Sequence, residues 1–343
     1  MKMKGTWSMI DAALSNYPRA RLMTSVTPVE RLERLSDQLG LDLWIKRDDL
    51  TGLSFGGNKT RQLEFYMGEA LRQRADTILI TGAVQSNFVR TAAAAAAKLG
   101  MSSVLQLEDR VTNMGEYYHR SGNVLLAQLL GAEHIGYPRG EDEAGADGAL
   151  HERAEDLVAM GRKPYVIHLG IDHPPLGALG YVAGAAELHT QISDFDAAVV
   201  PSGSGATHGG CLAGLRLVGQ TAPVYGICVR RDQNQQHTRL QKVLRRLATM
   251  MGFDPALVME DIYTWDGALA PGYGRIGRAT REALTLMARS EGIFLDPVYS
   301  AKTFAGLLGL LEQGIIKKGQ KVVLLHTGGQ PALFGYQDEL QPS

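Results

Sequence analysis

At 343 residues, with 45% hydrophobic and 21% charged side chains, the chain has the composition of a soluble globular protein and the length for two lobes, each with its own core. Its 35 basic and 36 acidic residues give a formal net charge of -1 without a basic block, which argues against nucleic acid and anionic membrane surfaces as partners. The two cysteines, Cys211 and Cys228, lie in apolar stretches and belong to no recognisable Cys/His ligand motif, so neither a disulfide framework nor a bound metal is expected.

The first 21 residues lack the apolar run and small-residue site of a signal peptide and are expected to lie across the surface as an arm. Residues 197–215 carry no formal charge, but five glycines with Ser, Thr and His argue against a membrane helix, and a cytoplasmic protein is expected. Residues 27–30 open a helical stretch with Leu32, Leu35 and Leu39 on one side and Gly40 as its stop. A short strand at 43–46 leads into Arg47, Asp48 and Asp49. From Leu63 the apolar side chains recur at Tyr66, Met67, Ala70 and Leu71, the spacing of one helical face.

Beyond it, strands at 77–81, 103–107, 133–137 and 165–169 alternate with helices at 88–99, 122–130 and 147–160. A helix at 178–192, a strand at 197–200, a helix at 209–217 and a strand at 224–229 follow. Helices at 278–290 and 303–312 and a strand at 322–326 complete the pattern. Such alternation implies an α/β fold of parallel sheets with right-handed crossovers. One lobe is expected to be inserted in the other: residues 1–75 and 200–343 form a larger, cofactor-binding lobe, and 76–199 a smaller, substrate lobe.

In open parallel sheets ligands bind beyond the carboxyl ends of the strands, which directs attention to the strand-to-helix loops. Ahead of the first of these, Lys59 follows Gly56, Gly57 and Asn58 and stands at the start of a helix. The positive end of the helix dipole disfavours a second positive charge and pushes the amine toward its neutral, nucleophilic form. Ser86 and Asn87 close a loop before the alanine-rich helix, where they serve as an N-cap, as ligand-binding groups, or as both. Ser202, Gly203, Ser204, Gly205, Ala206 and Thr207 follow the strand at 197–200 as a cluster of N–H donors suited to a phosphate. This loop has neither the nucleotide P-loop pattern nor the dinucleotide glycine fingerprint, so a small phosphorylated cofactor fits it better. A further glycine turn holds Thr327 and Gly328, and two more turns each set out a tyrosine, Tyr273 and Tyr299. Pyridoxal phosphate can use an amine, a donor to its phenolic oxygen and a phosphate cup together.

These residues fall in runs that resemble a known family. "TPVERL", "IKRDDLTGLSFGGNKTRQLEF", "TGAVQSNFVRTAAAAAAKLGM", "LGALGYV", "SGSGATHGG", "APGYG", "DPVYSAKTFAGL" and "HTGGQPALFGY" are similar to the aminocyclopropane-carboxylate deaminase and D-cysteine desulfhydrase family, over residues 27–336. The resemblance implies the tryptophan synthase β-like fold (fold type II of the pyridoxal phosphate enzymes), with two open, twisted, mostly parallel sheets flanked by helices. It implies a homodimer acting on a small amino acid. Lys59 then carries the cofactor as an imine, Asn87 bonds its phenolic oxygen, and the loop from Ser202 to Thr207 holds its phosphate. Asn58, Ser300, Thr327 and Gly328 count among the cofactor-binding residues. Ser86, Asn87, Phe88, Tyr273 and Tyr299 face the substrate, with Lys59, Ser86, Tyr273 and Tyr299 as the catalytic set.

The departures from that family shape the expected reaction. Ring-opening deaminases have a glutamate beside the pyridine nitrogen where this chain has Ser300, and a hydroxyl is too weak an acid to keep that nitrogen charged. Loss of a β-substituent from an amino acid needs a milder electron sink than ring opening does, so β-elimination is expected, with D-cysteine or L-cysteate as substrate. The "VYSAK" and "LEDR" runs resemble L-cysteate sulfo-lyase. Ring-opening deamination and a non-catalytic amino-acid sensor are the alternatives. Phe88 replaces a common His, Gln62 a common Lys, and Ile171, Asp172, His173, Pro174 and Pro175 replace a Gly-Ser-Asn-type loop, which bears on specificity.

Overall fold

The computed structural model describes residues 10–140 and 142–341. The expected arm thus falls partly outside the described residues, at 1–9. Its remainder is anchored, because Ile10, Leu14, Ala20 and Leu22 are all buried.

β1 (Val29–Arg31) pairs antiparallel with β2 (Asp42–Arg47), and α1 (Glu33–Leu39) connects them. The helix expected from residue 27 therefore starts later: Val29, Glu30 and Arg31 are drawn into pairing with Lys46, Ile45 and Trp44. α2 (Asn58–Arg72) leads to β3 (Thr77–Ala83), α3 (Asn87–Lys98), β4 (Ser102–Glu108), α4 (Asn123–Leu129), β5 (Glu133–Tyr137), α5 (Glu143–Ala159) and β6 (Pro164–Ile167). These four strands form a parallel sheet in the order β5-β4-β3-β6.

The chain then returns to the first sheet through α6 (Leu176–Gln191), β7 (Ala197–Ser202), α7 (Ala206–Leu217), β8 (Val224–Cys228), α8 (Gln233–Met251) and β9 (Tyr263–Trp265). α9 (Arg278–Glu291), α10 (Ser300–Glu312) and β10 (Lys321–His326) complete it. The six-stranded order is β1-β2-β10-β7-β8-β9, parallel except at β1. Every residue of β3 and of β7 is buried, as expected for parallel strands covered by helices on both faces.

α6 packs against α7 and α2, its small residues letting the backbones come close. A Cβ on Gly180 would stand 2.2 Å from the carbonyl oxygen of Arg61, so any larger residue there would force α6 away from α2. This packing fixes α2, and with it the residues of its first turn. Helix α8 was not among the expected elements, although Leu240, Val243, Leu244, Leu247 and Ala248 are buried at helical spacing. Asp232 caps it by accepting from the Gln235 N–H at 2.8 Å, and Gly252 ends it at φ 73°.

Candidate active site

The carboxyl ends of β3, β7 and β10 open onto one cavity, and the loops beyond them supply its polar lining. Helix α2 enters it from the side. The turn before α2 requires Gly56: its φ is 65°, and a Cβ there would lie 1.9 Å from the carbonyl oxygen of Asp49. Gly57 follows at φ 118°, so Asn58 and Lys59 occupy the first turn of the helix and face the cavity.

Lys59 is half-buried in the cavity wall, and desolvation lowers its amine to about 8. About a tenth of the amine is therefore neutral at pH 7, far more than for an ordinary lysine. Nζ stands 4.6 Å above the Phe88 ring and 3.4 Å from Gln62 Oε1. Both contacts favour the protonated form, and desolvation outweighs them. Phe88 thus forms the floor under the amine.

Thr207, in the first turn of α7, accepts hydrogen bonds at 2.9 Å from both Asn58 Nδ2 and Gln62 Nε2. With its oxygen engaged by two donors, its own proton is left for an acceptor in the cavity. Gly203, Ser204 and Gly205 line the cavity beside it. Their carbonyls are held by arginines: Arg239 Nε donates to Ser204 O at 2.9 Å and Arg231 Nη1 to Gly203 O at 3.4 Å. Ala206 lines the adjoining recess.

Ser202 differs from the rest of its loop. It is fully buried, accepts from Gln236 Nε2 at 2.8 Å and meets His208 Nδ1 at 3.1 Å. His208 Nε2 lies 3.2 Å from the Val224 carbonyl, which can only accept, so Nε2 carries the proton and Nδ1 accepts from the Ser202 hydroxyl. Burial holds His208 down at about 4, in this neutral form.

Ser86 caps α3, its Oγ accepting from Val89 N–H at 3.3 Å, and also lines the cavity. Asn87 lines the cavity, and its Oδ1 accepts from Asn123 Nδ2 at 2.8 Å, which fixes the amide and leaves its NH2 free of that bond. Asn123 was not singled out in the sequence, since its position ahead of a short helix resembles ordinary loop chemistry.

Across the cavity the Tyr273 and Tyr299 hydroxyls are 2.8 Å apart. Burial, and Tyr273 beside it, push the Tyr299 phenol well above its usual range. Thr327 lines the cavity, and its carbonyl accepts from Asn58 N–H at 3.0 Å. The Gly328 N–H donates to His326 Nδ1 at 3.2 Å. The Ser300 hydroxyl is buried and donates to Asp296 Oδ1 at 2.6 Å.

The structure adds charged residues to the lining: Glu108, Arg110, Glu143, Arg230, Arg231 and Arg239. Glu108 is wholly buried and takes Nε and Nη2 of Arg110 at 2.7 Å each. Burial opposes the charge on Arg110, but this carboxylate raises its pKa above the ordinary value. Glu143 pairs with Arg230, Arg231 and Arg239. Arg230 and Arg231 stand two and three residues beyond the end of β8, a position that the carboxyl-end rule selects without further information.

The donor set suits pyridoxal phosphate. A neutralisable amine, an oriented amide NH2, a threonine proton without an internal acceptor and the N-terminus of α7 answer its aldehyde, phenolic oxygen and phosphate.

Residues 21–328 match the family model described as "Pyridoxal-phosphate dependent enzyme". The chain is 41% identical over 330 residues to the D-cysteine desulfhydrase of Yersinia enterocolitica, covering 95% of this chain and 98% of that one. It is 39% identical over 326 residues to the D-cysteine desulfhydrase of Salmonella choleraesuis, covering 94% and 97%. A crystal structure described as an ACC deaminase homologue superposes with a TM-score of 0.86 at 35% identity, covering 97% and 98%. Threonine deaminase isoform 2 of Solanum lycopersicum shares the fold, at 16% identity and a TM-score of 0.67, with 99% and 94% covered.

Proposed function

The chain belongs to the pyridoxal-phosphate dependent enzymes, and from that premise we propose that it is a carbon-sulfur lyase acting on D-cysteine, with pyruvate, sulfide and ammonia as products. The observation that carries this reading is the cavity that joins Lys59, the Ser86 and Asn87 turn, the α7 N-terminus and the tyrosine pair. The D-cysteine desulfhydrases matched over nearly their whole length support it.

When bound, pyridoxal phosphate supplies the electron sink that allows a Cα proton and then a Cβ substituent to leave. In this reading Lys59 holds the cofactor and, once released from it, takes the proton from Cα as a neutral amine. Asn58 and Thr207 position the phosphate end, and Thr327 braces Asn58 through its carbonyl. Asn87 donates to the phenolic oxygen, its amide held by Asn123. Ser86 Oγ binds the substrate carboxylate. Tyr299, kept protonated by burial, and Tyr273, bonded to it, supply the proton for the departing sulfur. Ser300, whose hydroxyl is bonded to Asp296, lacks the carboxylate charge that would keep the pyridine nitrogen protonated. That arrangement suits β-elimination better than ring opening.

L-Cysteate is a second substrate reading, favoured by Arg110, Arg230, Arg231 and Arg239 in the lining, since guanidinium groups match a sulfonate. The test is to incubate the cofactor-loaded protein with each compound. Sulfide with pyruvate from D-cysteine is the expected result, and sulfite from L-cysteate instead would move the assignment to that substrate. Formation of 2-oxobutyrate from aminocyclopropane-carboxylate alone would overturn both.

No helix among the described residues is long and apolar enough to cross a membrane. A cytoplasmic homodimer is the setting this reading adopts. The free, buried Cys211 and Cys228 suit a reducing compartment.

A further inference from the structure

The loop at 171–175 that departs from the related family is not used by the chemistry above, and it takes part in a separate cluster. Asp147 and His151 stand one turn apart on α5 and face the same way. The chain leaving β6 brings His168 and His173 against them. The His168 and His173 rings stack with centroids 3.6 Å apart and planes 6° from parallel, and the His151 ring is 5.2 Å from His168. His168 Nδ1 is buried without a hydrogen-bond partner and lies 4.0 Å from Asp147 Oδ1. One ligand atom from each of Asp147, His168 and His173 lies within 4.8 Å of the others.

We propose that Asp147, His168 and His173 form a binding site for a divalent transition-metal ion of the zinc class, with water completing its coordination. Two imidazoles and one carboxylate match the donor preference of zinc or cobalt rather than of magnesium or calcium, which take oxygen ligands. Donor atoms about 2.1 Å from a tetrahedral ion stand about 3.4 Å apart, so the cluster closes on an ion by contracting roughly an ångström. One ring turns out of the stack to bring its lone pair in. The ligands come from two segments 17 or more residues apart, which is why no short motif announces the site.

The position gives the site a consequence. Asp147 also lines the active-site cavity, and Gly170, between the two histidines, lines both that cavity and the recess beside it. A bound ion ties α5 to the loop at 168–175 beside the active-site cavity.

The test uses the cofactor-loaded protein freed of metal by a chelator and titrated with cobalt(II) chloride. The expected result is one equivalent bound per chain, with the visible bands of a tetrahedral ion. His173→Ala and Asp147→Asn should each weaken binding at least about tenfold, while His189→Ala, on α6, should leave it unchanged. Zinc should raise the melting temperature of the native protein but not of His173→Ala. His173 is only partly buried, so this variant is expected to fold. Absence of cobalt binding, or binding that is the same in His173→Ala and Asp147→Asn, would overturn the proposal.

Discussion

Replacing Lys59 with Ala should lower turnover of the preferred substrate by at least about 10³-fold, the scale on which a reacting or proton-transferring group is lost. The visible absorbance of the protein-bound cofactor should disappear with it. Lys59 is the only lysine among the described residues that lines the cavity. The other lysine with a strongly lowered pKa, the buried Lys302, also falls to about 8, but its amine donates to the carbonyls of Leu269 at 2.8 Å and Gly272 at 2.6 Å. That amine braces the turn leading to Tyr273 and cannot substitute. Steady-state kinetics with an absorbance scan would check both parts, and a K59A protein with near-native turnover would contradict the assignment.

Asp48→Ala should give the largest loss of stability, about 3–5 kcal/mol, as expected when one partner of a buried ion pair is removed. Asp48 and Arg61 have side chains only 1% and 2% exposed and are joined at 2.9 Å. Arg61 also reaches Glu187, which pairs with Lys46 at 2.5 Å, while Tyr181 and Thr27 each donate to Asp48 at 2.7 Å. Removing the carboxylate therefore strands two hydroxyl donors and half the countercharge of Arg61. Burial alone would raise the Asp48 pKa, but Arg61 prevails and holds it below the ordinary value. Its stabilising contribution is thus present above the usual carboxylate range and is lost as pH falls through the lowered pKa. Because Arg61 follows Lys59 by two residues in α2, cofactor affinity should fall as well. Thermal melting of the two proteins at neutral pH decides the point, and equal melting temperatures would show that the network is not structural.

The parallel strands were readable because each is a short apolar run bounded by turn residues, and β3 and β7 are buried along their whole length. Lys59, Ser86, Asn87 and the loop after β7 were readable for a related reason: they stand at helix starts, where glycine, hydroxyl and amide residues are conspicuous. Helix α8 was missed because its first turn is glutamine-rich, though its later leucines keep helical spacing. β1 was missed because three residues pair only when β2 is in place beside them. The charged wall of Arg110, Arg230, Arg231 and Arg239 could not be read from any one stretch. Arg110 and its partner Glu108 lie together at the end of β4, whereas Glu143 of α5 meets Arg230 and Arg231 beyond β8 and Arg239 of α8 only once the fold brings them together.

In the proposed reading the cofactor is joined to Lys59 in this cavity. Reduction of the cofactor-loaded protein with borohydride, followed by digestion and mass spectrometry of the peptides, tests it most directly. One stoichiometric phosphopyridoxyl adduct is expected, on the peptide containing Lys59. An adduct confined to Lys302, or none on Lys59, would contradict it.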